Sequence, residues 1–323
     1  MSLNAAAGFP QQSGVLIPTV WSGKMLVEYY EATCLSQITN TEYEGEIKKQ
    51  GDKVIIRSLP LIDISDYTKG QEISYQLPED GTVELEINKG KLWAFRTDIV
   101  DEAQSDLDFS TKRSAHAAER SARAVERSFF QAVISDASAY NLGNTAGKVS
   151  ASIKLGALGA TANHVGLTNG ASGTANKRNI ADFIVDCGVV LDENDVPRDD
   201  NRWMVLPSFA CGLIKTSDLK DASITGDSES PLRNGRHGKV DGMTIYSSNL
   251  LYTVADSSYN VTYALFGHTS AMTWAAQFTE NEKLKSERFF GWLYRGLNVY
   301  GHKTIKPEGL GRAIVRRAIA GDS

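Results

Sequence analysis

The sequence predicts an α+β fold. Three observations carry that prediction: one long amphipathic helix near residues 110–135, a few short helices, and scattered strands with antiparallel character and turn signals between them. With 323 residues the chain is long enough to bury a sizeable core and to divide into two or three compact units. Hydrophobic residues make up 41% and charged residues 23%, ordinary proportions for a globular protein.

Residues 1 to about 18 are small, polar and broken by Gly and Pro, and they read as an extended arm. A short amphipathic helix follows, with Trp21, Met25, Tyr29 and Tyr30 near three-to-four spacing. It is either a core helix at the edge of the fold or an arm that packs on a neighbour.

From Gly51 the period changes to two. Residues 53–59 are strand-like. In 82–88, Val83, Leu85 and Ile87 face one way and Glu84, Glu86 and Asn88 the other. After a turn at Lys89-Gly90, a third strand sets Trp93, Phe95, Thr97 and Ile99 on one side. The stretch 61–81 carries Asp63, Asp66, Lys69, Glu72, Glu79 and Asp80. Too polar to build a core, it is a solvated loop or a long hairpin leaning on something else.

On the long helix, Ala115, Ala118, Ala122, Val125, Phe129 and Ala132 form one apolar face. Arg113, His116, Arg120, Arg123 and Arg127 form a basic stripe on the other. The stripe is a solvated face, with Glu119 and Arg123 at i,i+4, or a basic surface turned toward an anionic partner. Asp106 and Asp108, just ahead of the helix, complement its dipole.

Residues 137–176, rich in Ala, Gly, Ser, Thr and Asn, read as loops and weak elements on an exposed surface. A second helix is predicted over 177–191, a short apolar strand over 203–206, and a helix opened by Pro207. Asp241-Gly242 marks a turn before a strand at 243–246, and 261–266 is another strand. The last third is mostly β, ending in strands at 293–300 and 313–317 around the turn 306–309.

Catalytic and ligand-binding patterns are missing from the sequence. It has no phosphate-binding Gly-x-x-x-x-Gly-Lys-Ser/Thr loop, no His-Glu-x-x-His pair and no Gly-x-Ser-x-Gly elbow. The acidic run Asp192, Glu193, Asp195, Asp199 and Asp200 invites a calcium reading, but Pro197 stands where a calcium loop needs glycine. Cys34, Cys187 and Cys211 are odd in number and far apart, so neither a disulfide framework nor a zinc knuckle is expected. No cofactor or metal is implied. No apolar run is long enough to span a membrane, and the first residues lack a secretion pattern. A net charge of −5 argues against tight wrapping of nucleic acid.

Four stretches in order resemble the major capsid proteins of tailed bacteriophages, the HK97-type coat fold, over roughly residue 15 to the end. GDKVII at 51–56, DYTKGQEI at 66–73 and DIVDEAQS at 98–105 resemble the family's E-loop and its return into the long spine helix. VLDENDVP at 190–197 with RWMVLPSF at 202–209 resembles the A-domain helix and the strand after it. GKVDGMTIYSSN at 238–249 resembles the close of that domain, and GLNVYG at 296–301 through PEGL at 307–310 the C-terminal return.

The resemblance implies an N-terminal arm and short helix in 1–45, an E-loop β-hairpin in 46–98, a P-domain with the spine helix in 99–140, an A-domain in 141–285 and a return to the P-domain in 286–323. It implies a non-enzymatic subunit whose copies form pentamers and hexamers of an icosahedral shell around double-stranded DNA, without sequence-specific binding. Asp66, Tyr67, Lys69, Glu72, Glu79 and Asp80 would then be inter-subunit residues. Arg113, Arg120, Arg123 and Arg127 would face the lumen or a scaffold. Implied partners are a separate scaffolding protein, a portal protein and a decoration or cement protein, with assembly in the host bacterial cytoplasm and residence in the virion capsid. The alternatives are an encapsulin-like cellular compartment and, from another class, a hydrolase with an unrecognised site.

Overall fold

The computed structural model describes residues 33–42, 53–58, 60, 62–72, 75–77, 81–100, 109–160, 163–173, 176–217 and 238–319. The predicted amphipathic helix at 21–30 lies outside them. Strands β1 (Lys53–Ser58) and β2 (Gly81–Glu86) pair as a ribbon. Strand β3 (Lys89–Asp98) joins β11 (Met272–Lys285) and β12 (Gly291–Thr304) in a three-stranded sheet of order β11-β12-β3.

The largest sheet contains β4 (Val165–Thr168), β5 (Lys177–Asn179), β6 (Arg202–Leu206), β7 (Lys239–Val240), β8 (Met243–Ser247), β9 (Thr253–Asp256), β10 (Tyr259–His268) and β13 (Leu310–Arg317). Its order is β5-β4-β13-β10-β6-β8-β7, with β9 on β10. Besides a one-turn α1 (Leu35–Ile38), the helices are α2 (Phe109–Val133), α3 (Ile180–Glu193) and α4 (Ser208–Thr216).

The expectation of antiparallel strands needs correcting, because this sheet is mixed. β13 runs parallel to β4, β4 to β5, and β6 to β8. Helix α4 lies between β6 and β8 in the chain and supplies the long crossover that a parallel pair requires. The strands also mix distant stretches of chain. β11, at the end of 141–285, pairs with β12, whereas β13, from the last stretch, pairs with β10.

Both faces of the large sheet are covered, which explains its nearly continuous apolar strands. On one face Met204, Leu206, Ala264, Phe266, Ala313 and Val315 pack with Phe183, Ile184 and Cys187 of α3 and Ala210 and Ile214 of α4. On the other, Trp203, Val205, Leu265 and Ile314 meet Phe129, Phe130 and Val133 at the end of α2. The period-two rule therefore splits one five-residue strand, β6, between two cores.

Helix α3 begins three residues later than expected, because Lys177–Asn179 pair as β5. Asn179 then caps it, its Oδ1 accepting from the Ala181 N–H at 2.9 Å. Residues 137–176 are irregular, as expected, but not wholly exposed. Asn141, Ala146, Ile153, Leu155, His164, Val165 and Leu167 are buried. Small residues here let the chain run close beneath the sheet: a Cβ on Gly156 would meet the Ile314 carbonyl oxygen at 2.6 Å, and its φ of +90° is left-handed.

The acidic run builds an ion-pair network. Buried Arg202 donates to Asp192 at 2.8 Å and, through Nε, to the Pro197 carbonyl at 2.9 Å. Arg198 also donates to Asp192 at 2.9 Å, and Lys239 to Asp200 at 2.8 Å. Hydrogen bonds from Arg198 chiefly, and from Arg202, hold the Asp192 carboxyl below the usual range against the opposing effect of burial. Among the described residues no group of three or more His, Cys, Asp or Glu is placed to hold a metal ion. Cys34, Cys187 and Cys211 are buried thiols, none of them joined in a disulfide.

Candidate inter-subunit surfaces

The β1–β2 ribbon is anchored at its base. Ile56, Leu85 and Ile87 are buried against Ala275, with Val54, Val299 and Ile305 around them. At Gly301 of β12 the ribbon comes closer than any side chain would allow. A Cβ there would lie 3.0 Å from Ile87 Cα and nearer still to the Glu86 carbonyl oxygen. Among the described residues the ladder runs from Lys53↔Glu86 to Ser58↔Gly81. The expected long hairpin is therefore a short ribbon carrying a loop. The structure also has no turn at Lys89-Gly90: β3 begins at Lys89 itself.

Beyond the ribbon the two arms of the loop are joined by side chain and backbone. Gln76 accepts from the Asp63 N–H at 3.1 Å and donates to the Asp63 carbonyl at 2.9 Å. The tip turns at Lys69-Gly70, where Gly70 has φ +87°. Asp66, Tyr67, Lys69 and Glu72 are all exposed there. Glu79 and Asp80 lie outside the described residues. The polar reading of this segment missed its apolar side chains: Ile64 is 97% exposed, Leu77 94% and Tyr75 90%, with Ile62 and Tyr67 also largely bare. They have no core to reach and form a band of exposed apolar surface on an anchored arm.

On α2, Arg113, Arg120 and Arg127 are exposed and Arg123 is half-buried. The apolar face is divided. Val125 and Phe129 are buried, but Ala115, Ala118 and Ala122 are exposed, although Ser121 between them is buried and accepts from Asn298 of β12 at 2.9 Å. Glu126, which the sequence pattern passed over, is fully buried and accepts from the Cys34 N–H at 3.2 Å and its thiol at 3.1 Å. The available signal was its place four residues after Ala122, an acidic residue at the edge of an apolar seam.

A polar cluster joins the ribbon's exit to the end of α2. Lys89 donates to His302 Nε2 at 2.5 Å, which places the ring proton on Nδ1, and Thr304 donates to Asp136 at 3.0 Å. The His302 ring meets Phe129 edge-on. Burial first, then the Lys89 charge, lowers the His302 pKa to about 4, with Asp136 opposing. Between that value and 6.5 the unfolded chain binds a proton that the folded chain does not, so stability falls as pH falls through this window. The full effect is about 3 kcal/mol. His302→Gln should flatten the pH dependence of urea midpoints between 6.5 and 4; an unchanged slope would show that another group is responsible.

No protein-family model matches the chain, and no curated protein does. Solved structures do. A structure from Mycobacterium phage Che8 matches with a TM-score of 0.69 and 23% identity, covering 92% of this chain and 96% of that one. The capsid of cyanophage P-SCSP1u matches with a TM-score of 0.67 and 15% identity, covering 94% of each chain. The mature capsid of bacteriophage PhiM1 matches with a TM-score of 0.63 and 12% identity, covering 94% of this chain and 93% of that one.

The chain has a phage capsid fold. The match spans nearly the whole molecule, so both sheets, α2 and the ribbon belong to that capsid fold together. Among the described residues, the loop carried by the ribbon and the first part of α2 expose apolar side chains and alanines.

Proposed function

We propose that this chain is the coat subunit of a tailed bacteriophage, of the HK97 type, with an N-terminal arm, an E-loop formed by β1, β2 and the loop between them, a P-domain on α2 and an A-domain on the large sheet. Copies associate as pentamers and hexamers and close an icosahedral shell around double-stranded DNA. The activity is association, not catalysis, and symmetry repeats several modest interfaces into a stable whole. A separate scaffolding protein, a portal and a decoration protein complete the particle, which assembles in the host cytoplasm.

The observation that carries this reading is the exposed apolar band on an anchored arm, in a chain with a capsid fold. The E-loop lies across a neighbouring subunit. There Ile64, Tyr75 and Leu77 lose their contact with water, and Tyr67 with Asp66, Lys69, Glu72, Glu79 and Asp80 forms the polar rim. Arg113, Arg120, Arg123 and Arg127 face the packaged genome or its acidic scaffold.

Negative-stain imaging of the purified protein, with nucleic-acid quantification of particles from infected cells, tests the proposal. Capsomers or shells, and DNA-filled particles, are expected. A protein that stays monomeric at every concentration would overturn it, and shells holding protein cargo instead of DNA would make it a cellular compartment. In the same particles, Arg→Gln at 113, 120 and 127 together should leave the subunit folded and reduce retained DNA or scaffold severalfold. Full genomes in that variant would mean that the stripe is only solvated.

A further inference from the structure

Three asparagines, Asn163, Asn169 and Asn176, lie between Leu155 and Lys177, and Asn169 differs from the other two in the residue that follows it. It precedes Gly170, whereas Asn163 precedes His164 and Asn176 precedes Lys177. Among the described residues no other asparagine is followed by glycine; the second Asn-Gly of the sequence, at 234–235, lies outside them. Asn169 and Gly170 are exposed and stand just past the β4–β5 ladder, whose last pair is Thr168↔Asn179. The Gly170 N–H donates to Thr168 Oγ1 at 3.3 Å instead of into that ladder. A Cβ on Gly170 would meet nothing nearer than the same hydroxyl at 3.9 Å, so the backbone has room to rotate. Two exposed bonds hold the pair. Asn169 Nδ2 donates to Thr216 Oγ1 at 3.2 Å, and the Gly170 carbonyl accepts from Asn179 Nδ2 at 3.0 Å.

We propose that Asn169-Gly170 is a site of spontaneous covalent modification, at which the asparagine loses its amide through a cyclic imide. A base in solution takes the Gly170 amide proton, and the backbone nitrogen forms a bond to Asn169 Cγ. The Cγ–Nδ2 bond breaks, and the nitrogen takes up a proton and leaves as ammonia. Water then opens the ring. Attack at Cγ gives aspartate; attack at the main-chain carbonyl gives isoaspartate, with the chain running through Cβ and Cγ. One water enters for each ammonia released, and nothing is oxidised or reduced. Glycine permits the first step, because no side chain crowds the attacking nitrogen and its backbone angles are free to bring it onto Cγ. Either product adds a negative charge at the margin of the large sheet, where β5 is an outer strand. The isoaspartyl product also lengthens the main chain by one carbon, which draws the Gly170 carbonyl away from Asn179, the cap of α3.

The test incubates the full chain and a Gly170→Ala variant at mildly alkaline pH in water enriched in heavy oxygen. Trypsin then releases 155–177 as one peptide holding all three asparagines, so each is a standard for the others. Fragment masses should place the change from amide to acid, with one heavy oxygen, at residue 169 at least tenfold faster than at 163 or 176. Isoaspartate should be among the products. Alanine fits the open space at 170 and crowds the nitrogen, so that variant should react at least tenfold more slowly with its far-UV circular dichroism unchanged. Equal rates at the three asparagines, or a Gly170→Ala rate matching the unmodified chain, would overturn the proposal. A product that is aspartate alone would mean direct hydrolysis of the side chain and would overturn the cyclic route.

Discussion

Replacing residues 68–78 with a short Gly/Ser turn is expected to leave the subunit folded and to abolish closed shells. The described part of this segment touches no core: Lys69 and Glu72 are exposed, and Tyr75 and Leu77 are nine-tenths bare. Among the described residues, removing it costs the fold the Gln76–Asp63 pair, two exposed hydrogen bonds in contact with water, and the local turn bonds between Thr68 and Gln71. The ribbon beneath keeps its six-residue ladder and its buried base of Ile56, Leu85 and Ile87. Thermal midpoints should therefore move by no more than a few degrees. Association loses far more. Tyr75 and Leu77 alone offer roughly 1.5–3 kcal/mol each on full burial, and a shell repeats the contact at every subunit. Electron microscopy and sedimentation of the variant should show free subunits or capsomers. Normal closed shells would show that the segment is a solvated loop. Hydrogen exchange gives the complementary result: amides near Tyr67 and Tyr75 should exchange quickly in free subunits and slowly in particles.

Local periodicity made much of this fold legible. The alternation in 82–88 located β2 and its buried residue Leu85, and the 3.6-residue period located α2 to within a few residues at either end. Order along the chain, more than any single motif, pointed to the capsid fold.

What stayed hidden depends on tertiary partners. The parallel pairings of β4, β6 and β8 have no local signature, because a parallel neighbour is chosen by a distant crossover. The burial of the Gly- and Ala-rich stretch around Ile153 and Leu155 comes from the sheet above it. Ala115, Ala118 and Ala122 looked like a packed seam because periodicity reports which residues share a face, not whether that face is covered. The apolar band at Ile64, Tyr75 and Leu77 was masked by the acidic residues interleaved with it.

Gly301 is where a single atom should have the largest effect. It lies in β12 opposite Ala275, and the backbone at the end of β2 passes close by at Glu86 and Ile87. Glycine is needed here for close approach alone, since Gly301 is not among the residues with positive φ. The atoms that a new Cβ would meet are backbone: the Glu86 carbonyl carbon and the Ile87 Cα, each at 3.0 Å, with the carbonyl oxygen closer. A flexible side chain could swing away, but a strand held by its own ladder to β1 must move as a body. Gly301→Ala should therefore tilt the ribbon, and Gly301→Val should lift Leu85 and Ile87 from Ala275, at a cost of about 1–3 kcal/mol for overpacking. The expected signature is local. Amides of Lys53–Ser58 and Gly81–Glu86 should exchange at least tenfold faster, while those of β6 and β10 keep their protection. Shell yield should fall with ribbon tilt, because a small angle at the base is magnified at the loop tip. Gly212→Ala provides the control: it lies in α4 with open space where its Cβ would go, and alanine is the better helix former there. If Gly301→Val leaves the β1–β2 amides as protected as in the unmodified chain, close approach at Gly301 does not set the position of the ribbon.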